Sequence, residues 1–385
     1  MANLRLGQVP IDRYPKRSHI SSNIMKLKST VIIGLAAWAG CLELHGASAT
    51  ITSMVTVETF SGASSVITPG AGGTTSFPSS TNYTLNYAGG VRSIDNFTTG
   101  AGVSAQQYVP FNYAGTVDVL LRRSGTANNN VVWQKVNSST TPTYNLAGVP
   151  QPNEQVAFND DNFYDGAANL FANTGSNSGN ISNIERVDVV FGSGLSASND
   201  LVFALWELGA FNGHDAFKVA AITNVDGSGN PTAYGSVASF VAGTWGTTDL
   251  NPALGGASFN TLVQRNLSTA PGAGATRPSE NVAGQTIGGT TIATTGAGQS
   301  LGLTSGDTFY GYSIFPADVT ASGASLLDWT NTVNFPTGTL NTNSTGSLDL
   351  VAYVGGVYSV VPEPSTLALL TVALTGLLRR NRQKC

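Results

Sequence analysis

The run Asn159, Asp160, Asp161, Asn162, Phe163, Tyr164, Asp165, Gly166 is the densest set of oxygen ligands in the sequence. Clustered carboxylate and amide oxygens suit a hard cation, and the closing glycine permits the turn that gathers them. Asp160, Asp161 and Asp165 are therefore the candidate calcium ligands. The run departs from the EF-hand pattern, because Tyr164 stands where an oxygen ligand is needed and no glutamate closes the loop. Asp226, Ser228 and Asn230 form a smaller set, with Pro231 where a glycine belongs. A solvated polar loop is the simpler explanation for each run.

Catalytic groups are sparse. Of the three histidines, His19 and His45 fall in the N-terminal segment, which leaves His214 for the body of the chain. A Ser-His-Asp triad would have to use the loop Phe211, Asn212, Gly213, His214, Asp215, and no G-x-S-x-G elbow supplies the nucleophile. His214 is therefore expected to be a turn residue, and zinc sites needing two or three histidines are excluded. Glycoside hydrolysis needs two carboxyls facing one sugar bond. Glu207 beside Trp206 is the candidate acid, with no partner legible, and a surface acid on an alternating strand is the simpler expectation. Trp133, Trp206, Trp245 and Trp329 are either stacking platforms for sugars or core residues. No residue is assigned a catalytic role, and the protein is expected not to be an enzyme.

The elements that would position these groups read as strands. Short runs of Val, Ile, Leu, Phe and Tyr alternate with Gly, Ser, Thr and Asn, as in an all-β exported domain. Strands are expected over residues 50–60, 116–123, 131–136, 185–191, 201–208, 216–225, 236–244, 308–315 and 348–360. In one of these, Val117, Val119 and Leu121 share a face, while Thr116, Asp118 and Arg122 point the other way. Residues 201–208 are apolar at nearly every position except Glu207, which predicts a strand covered on both faces. Tight turns are expected at Asn199-Asp200, at 212–215 and at 226–231. Residues 61–80 and 268–300, rich in Gly, Thr, Ser and Ala, read as loops. The expected architecture is a β-sandwich of jelly-roll type, in one large domain with an insertion.

Charge and cysteine usage bound the function. Residues 50–361 hold 8 of the 18 basic and 19 of the 22 acidic residues, a net charge of −11. Such a surface repels phosphate backbones, so no nucleic-acid partner is expected, and it attracts cations such as calcium. Cys41 and Cys385 both lie outside that range, so neither a disulfide nor a cysteine metal site serves the body.

The two ends carry the remaining basic residues. Met25, Lys26, Leu27 and Lys28 open a basic region before the apolar run 31–42, and Ala47 and Ala49 form an A-x-A cleavage site ahead of Thr50. This is the pattern of a secretory signal peptide, with Met25 favoured as the true start. At the other end, Val361, Pro362, Glu363, Pro364 and Ser365 precede the apolar run 366–378 and the basic group Arg379, Arg380 and Arg382. Pro364 disfavours helix at Glu363, and Ser365 can cap a helix beginning there. Residues 365–378 span about 21 Å as a helix, against about 30 Å of hydrocarbon, so the arginines must snorkel to complete a short transmembrane helix. Their charge holds this end in the cytoplasm.

That order of parts resembles the PEP-CTERM tail of Gram-negative bacteria. The resemblance implies an exosortase and the export machinery as partners, a membrane helix awaiting processing, and delivery to the cell envelope or outer surface, with release from it. PEP-CTERM proteins as a group are associated with exopolysaccharide production. The resulting expectation is three segments, namely residues 1–49 for targeting, 50–360 as the exported β-body and 361–385 as the sorting tail. The function expected is that of a non-catalytic cell-surface or extracellular-matrix protein, associated with exopolysaccharide or adhesion and without a cofactor unless it is calcium. A carbohydrate-binding or glycoside-hydrolysing β-sandwich is the alternative.

Overall fold

The computed structural model describes residues 48–56, 80–85, 94–100, 105–125, 129–136, 165–173, 183–209, 214–246, 250, 259–267, 279–340, 342, 344–351 and 356–361. Within them the chain is all-β. Its strands are β1 (Ile51–Thr56), β2 (Ser80–Leu85), β3 (Ile94–Thr99), β4 (Gln106–Pro110), β5 (Val117–Arg123), β6 (Asn129–Val136), β7 (Asp165–Ala167), β8 (Ile184–Ser196) and β9 (Leu201–Gly209). They continue as β10 (Phe217–Val225), β11 (Pro231–Phe240), β12 (Phe259–Leu267), β13 (Ser279–Thr295), β14 (Ser300–Leu303), β15 (Thr308–Pro316), β16 (Leu350–Val351) and β17 (Val357–Val360). The helical content described is a short 3-10 turn at Gly323–Leu327.

Two sheets share these strands. The larger has eleven, in the order β1-β3-β4-β17-β9-β16-β7-β6-β12-β13-β14, and the smaller has six, in the order β11-β10-β15-β8-β5-β2. Strand β9 also pairs with β13, and an isolated antiparallel bridge joins Thr50 to Thr290 on β13. The larger sheet is therefore curled, with β1 returning to β13. Pairing is antiparallel throughout, apart from β13 with β14.

Strand β9 lies between two cores, as its composition predicts. Leu201, Phe203 and Leu205 face the smaller sheet and meet Val189, Phe191, Tyr312 and Ile314. The Phe203 ring lies 4.6 Å from that of Tyr312 and 5.6 Å from that of Phe191, which locks the two sheets face to face. Val202, Ala204, Trp206 and Leu208 face the opposite way, into a second core with Ile51, Phe97, Tyr108 and Tyr358 inside the curl. Burying a Leu or Phe side chain stabilises by about 1.5–3 kcal/mol, so a strand contributing to both cores is costly to disturb.

The Val117, Val119, Leu121 face of β5 is buried as expected, and Arg122 points to the other side. That side is also enclosed. The segment after β15 crosses it, packing Val319, Ala321, Leu326 and Phe335 on Ala220 and Phe315.

Residues 268–300, expected as a loop, contain the longest strand described, β13. Hydrophobicity is a poor guide here because threonine and glycine take the buried positions. The Thr286, Thr291 and Thr294 hydroxyls donate to the carbonyls of Gly209, Ala49 and Ser198 at 2.8, 3.1 and 2.7 Å, so burial leaves them satisfied. Gly289 has no side chain because a Cβ there would stand 2.9 Å from the Trp206 ring. Two further boundaries differ. Strand β11 starts at Pro231 and stops at Phe240, where a turn begins, and residues 348–360 form two short strands, β16 and β17. The turn at 226–231 forms as expected, with Asp226 Oδ1 accepting from the Ser228 and Asn230 N–H groups at 2.8 Å each.

Candidate functional site

Continuing the inward parity of Leu201, Phe203 and Leu205 brings β9 to Glu207, which is fully buried. The expectation of a surface acid is thus overturned, because both faces of β9 are covered along its whole length. Glu207 pairs across the sheet with Gly288 of β13. The missing side chain at Gly288 is what admits His214, whose Cε1 would lie 2.8 Å from a Cβ at that position. His214 Nε2 stands 3.5 Å from Glu207 Oε2. His214 is buried, so it is no exposed turn residue. Asp215 follows it into the interior, held by Ser347 Oγ donating to Asp215 Oδ1 at 2.6 Å, while its carbonyl accepts from the Trp245 indole at 2.7 Å. Asp349, partly exposed, completes the group. Its Oδ1 accepts from the Asn169 N–H at 2.6 Å, and its carbonyl accepts from Leu208 N at 2.9 Å.

Among the described residues, no salt bridge to Lys or Arg is found at these carboxyls. Burial, then the negative charges of Asp215 and Asp349, push Glu207 well above the usual carboxylate range. Burial raises Asp215 as well, opposed by the Ser347 hydroxyl, and burial followed by Asp215 raises Asp349. Burial lowers His214, against the pull of the Gly246 and Thr286 carbonyls, so the imidazole is held neutral. The Asp349 backbone N–H opposes the rise at Glu207 by favouring its carboxylate. As an acid, it can donate to Asp215. The arrangement stores protons. It presents no carboxyl pair to a sugar, since Trp245 is enclosed beside it and Trp206 faces the other core.

A second polar group lies under the segment after β15. Asp188 of β8 is buried between Arg122 and Arg186, with Arg122 Nε 3.1 Å from Oδ2 and Arg186 Nε 2.7 Å from Oδ1. Ser313 and Tyr234 donate to Asp188 Oδ1 at 2.6 and 3.1 Å. Burial favours the neutral acid, but Arg186, Arg122 and Ser313 outweigh it and hold Asp188 below its ordinary range. The guanidiniums also cover Trp329, with their carbons 5.1 and 4.8 Å from its ring, and Arg186 Nη1 donates to the Leu326 carbonyl at 2.5 Å. This group clamps the segment after β15 to the smaller sheet. It was missed in the sequence, although Arg186 and Asp188 on one face of a valine-rich strand were its visible sign.

The remaining sequence candidates fall mostly elsewhere. Asp160, Asp161, Ala47, Pro362, Glu363, Pro364, Ser365, Arg379, Arg380 and Arg382 lie outside the described residues. Asp165 opens β7, opposite Gln134, in a strand and not in a loop. Ala49 exchanges hydrogen bonds with Thr291, and Val361 N donates to the Gln107 carbonyl at 2.8 Å. Among the described residues, no group of three or more His, Cys, Asp or Glu side chains is arranged to hold a metal ion, and no helix is long and apolar enough to cross a membrane.

Strand β17 lies between β4 and β9, and the sorting tail begins at its last residue. Residues 360–383 match the family model of the PEP-CTERM protein-sorting motif. No curated protein and no solved structure matches the chain. The chain is a PEP-CTERM protein by that tail, which marks an exported protein recognised by an exosortase and the export machinery and sent to the cell envelope or surface.

Proposed function

We propose that this is a non-catalytic protein of the cell surface or extracellular matrix, associated with exopolysaccharide or adhesion. In this reading, residues 1–49 are a targeting segment starting at Met25 and cut after Ala49, residues 50–360 are the working body, and residues 361–385 are the tail. The body is a jelly-roll type of sandwich, and residues 365–378 form a short membrane helix that anchors the protein until the tail is processed and the body released. Calcium at Asp160, Asp161 and Asp165 belongs to the same proposal, motivated by the acidic body.

The observation that carries this reading is the direct junction of β17 and the sorting motif at Val360. The enclosure of Glu207 and His214 supports a body without catalysis. The alternative, a carbohydrate-active module, asks for exposed indoles. Trp206 and Trp245 are buried in the cores, and Trp329 is covered by arginines. Co-sedimentation of the exported protein with exopolysaccharide from its host tests the proposal. Saturable binding that survives moderate salt is expected. Absence of binding to the polysaccharide and to whole cells removes both association roles.

A further inference from the structure

The two ends of the described body leave it at one rim. Val202, near the start of β9, pairs with Ala293 of β13 on one side and with Tyr358 of β17 on the other. The Ala293 N–H donates to Ser48 Oγ at 3.1 Å, and the Thr291 N–H donates to the Ala49 carbonyl at 2.9 Å, so the chain enters β1 beside this row. Strand β17 runs antiparallel to β9 and therefore ends past Leu201, where Val360 N donates to the Asp200 carbonyl at 3.0 Å. Ser48, Ala293, Val202 and Tyr358 stand side by side across three strand spacings, about 14 Å in all. Both ends are pinned. Gln107, Asn199, Asp200 and Asp307, exposed at this rim, carry no positive charge.

We propose that this rim is the membrane-facing end of the body in the uncut precursor, standing against the phospholipid headgroups while the tail is attached. The inference rests on reading residues 365–378 as membrane-borne. Val361 is held by Gln107, and the four residues from there to Ser365 reach at most about 14 Å when extended. The tether leaves the body no room to turn another end toward the bilayer. The polar, uncharged-to-acidic rim has no attraction of its own for anionic lipid, so the tail alone sets this orientation.

The test uses the exported chain, residues 50–385 without the apolar run 31–42 and with Cys385→Ser, in vesicles of phosphatidylethanolamine and phosphatidylglycerol carrying a headgroup nitroxide. A fluorophore is placed at Asn199→Cys on the rim, or at Gly284→Cys at the far end of β13, about 30 Å from Ala293. A Cβ at Gly284 meets open space but sits at φ +73°, so Gln285→Cys serves as a second far-end position. Quenching several-fold stronger at Asn199 than at either far position is expected. If the chain floats with the vesicles but the far positions are quenched as strongly as Asn199, the proposed orientation is wrong. If the chain does not float with the vesicles, the membrane reading of the tail fails, and the proposal fails with it.

Discussion

Asp188 and Glu207 are both carboxyls enclosed in β-sheet, but their surroundings favour opposite protonation states, the carboxylate for Asp188 and the neutral acid for Glu207. Asp188 lies between two guanidiniums and accepts from a serine and a tyrosine, so it remains ionised and fastens the segment after β15 to the smaller sheet. Among the described residues, Glu207 is buried beside other acids and a neutral imidazole, which favours the protonated acid. Burial alone therefore does not determine what an acid does in this body; the sign of the nearest charges does. Glu185 lies between these cases. It receives hydrogen bonds from Ser124 and Asn173 at 2.6 and 2.9 Å, and burial, against those two bonds, lifts it to about 7.

The largest effect expected is at the clamp. Asp188→Ala leaves two buried arginines without a counter-charge, and urea unfolding should show a loss of about 3–5 kcal/mol. A loss under about 1 kcal/mol, the scale of an exposed pair, would remove the distinction between the two regions. Asp188 is held low when folded, so its contribution is present above the ordinary carboxylate pKa and is lost as pH falls through the lowered folded value.

The proton-storing group should respond with the opposite sign. Glu207 is raised when folded, so the native state binds the extra proton, and stability falls as pH rises from the unfolded value of 4.5 toward the raised one. Glu207→Gln should flatten this slope and leave the protein more stable than the parent near pH 8. An unchanged slope in denaturation between acid and neutral pH would show that Glu207 is ionised and solvated. Glu185→Gln should act in the same direction and by less, removing only the part of the slope between 4.5 and about 7.

These contrasts also mark what the sequence could carry. Strand β9 was legible because apolar residues on both faces have one simple explanation, and β5 because its alternation reports a buried face directly. Strand β13 was not, since threonines that bond to carbonyls and glycines that admit a neighbouring ring are buried without being hydrophobic. Glu207 stood out as the interruption of an apolar strand. Its partner Asp215 lies close in sequence, but Ser347 and Asp349 come from a segment about 140 residues later, and no local pattern could reveal that they converge. Arg122 was placed on the correct face, but its burial depends on a segment that brings Trp329 over it from about 200 residues later. The tail was the most legible part, because its function resides in the local order of Pro-Glu-Pro, apolar run and arginines.

The central claim is that the tail sorts a body that folds without it. The structure places the boundary at Pro362, one residue later than the tail start at Val361 read from the sequence, since Val361 N still donates to the Gln107 carbonyl and must be kept. Deleting Pro362 to Cys385 and following the protein in its native host is the direct measurement, by fractionation together with circular dichroism of the recovered material. The account expects a folded β-protein released in soluble form, while the full-length chain is retained or processed at the envelope. A truncated chain that fractionates with the envelope as the full-length one does would contradict the sorting claim. So would one that fails to fold while the full-length chain folds without any membrane.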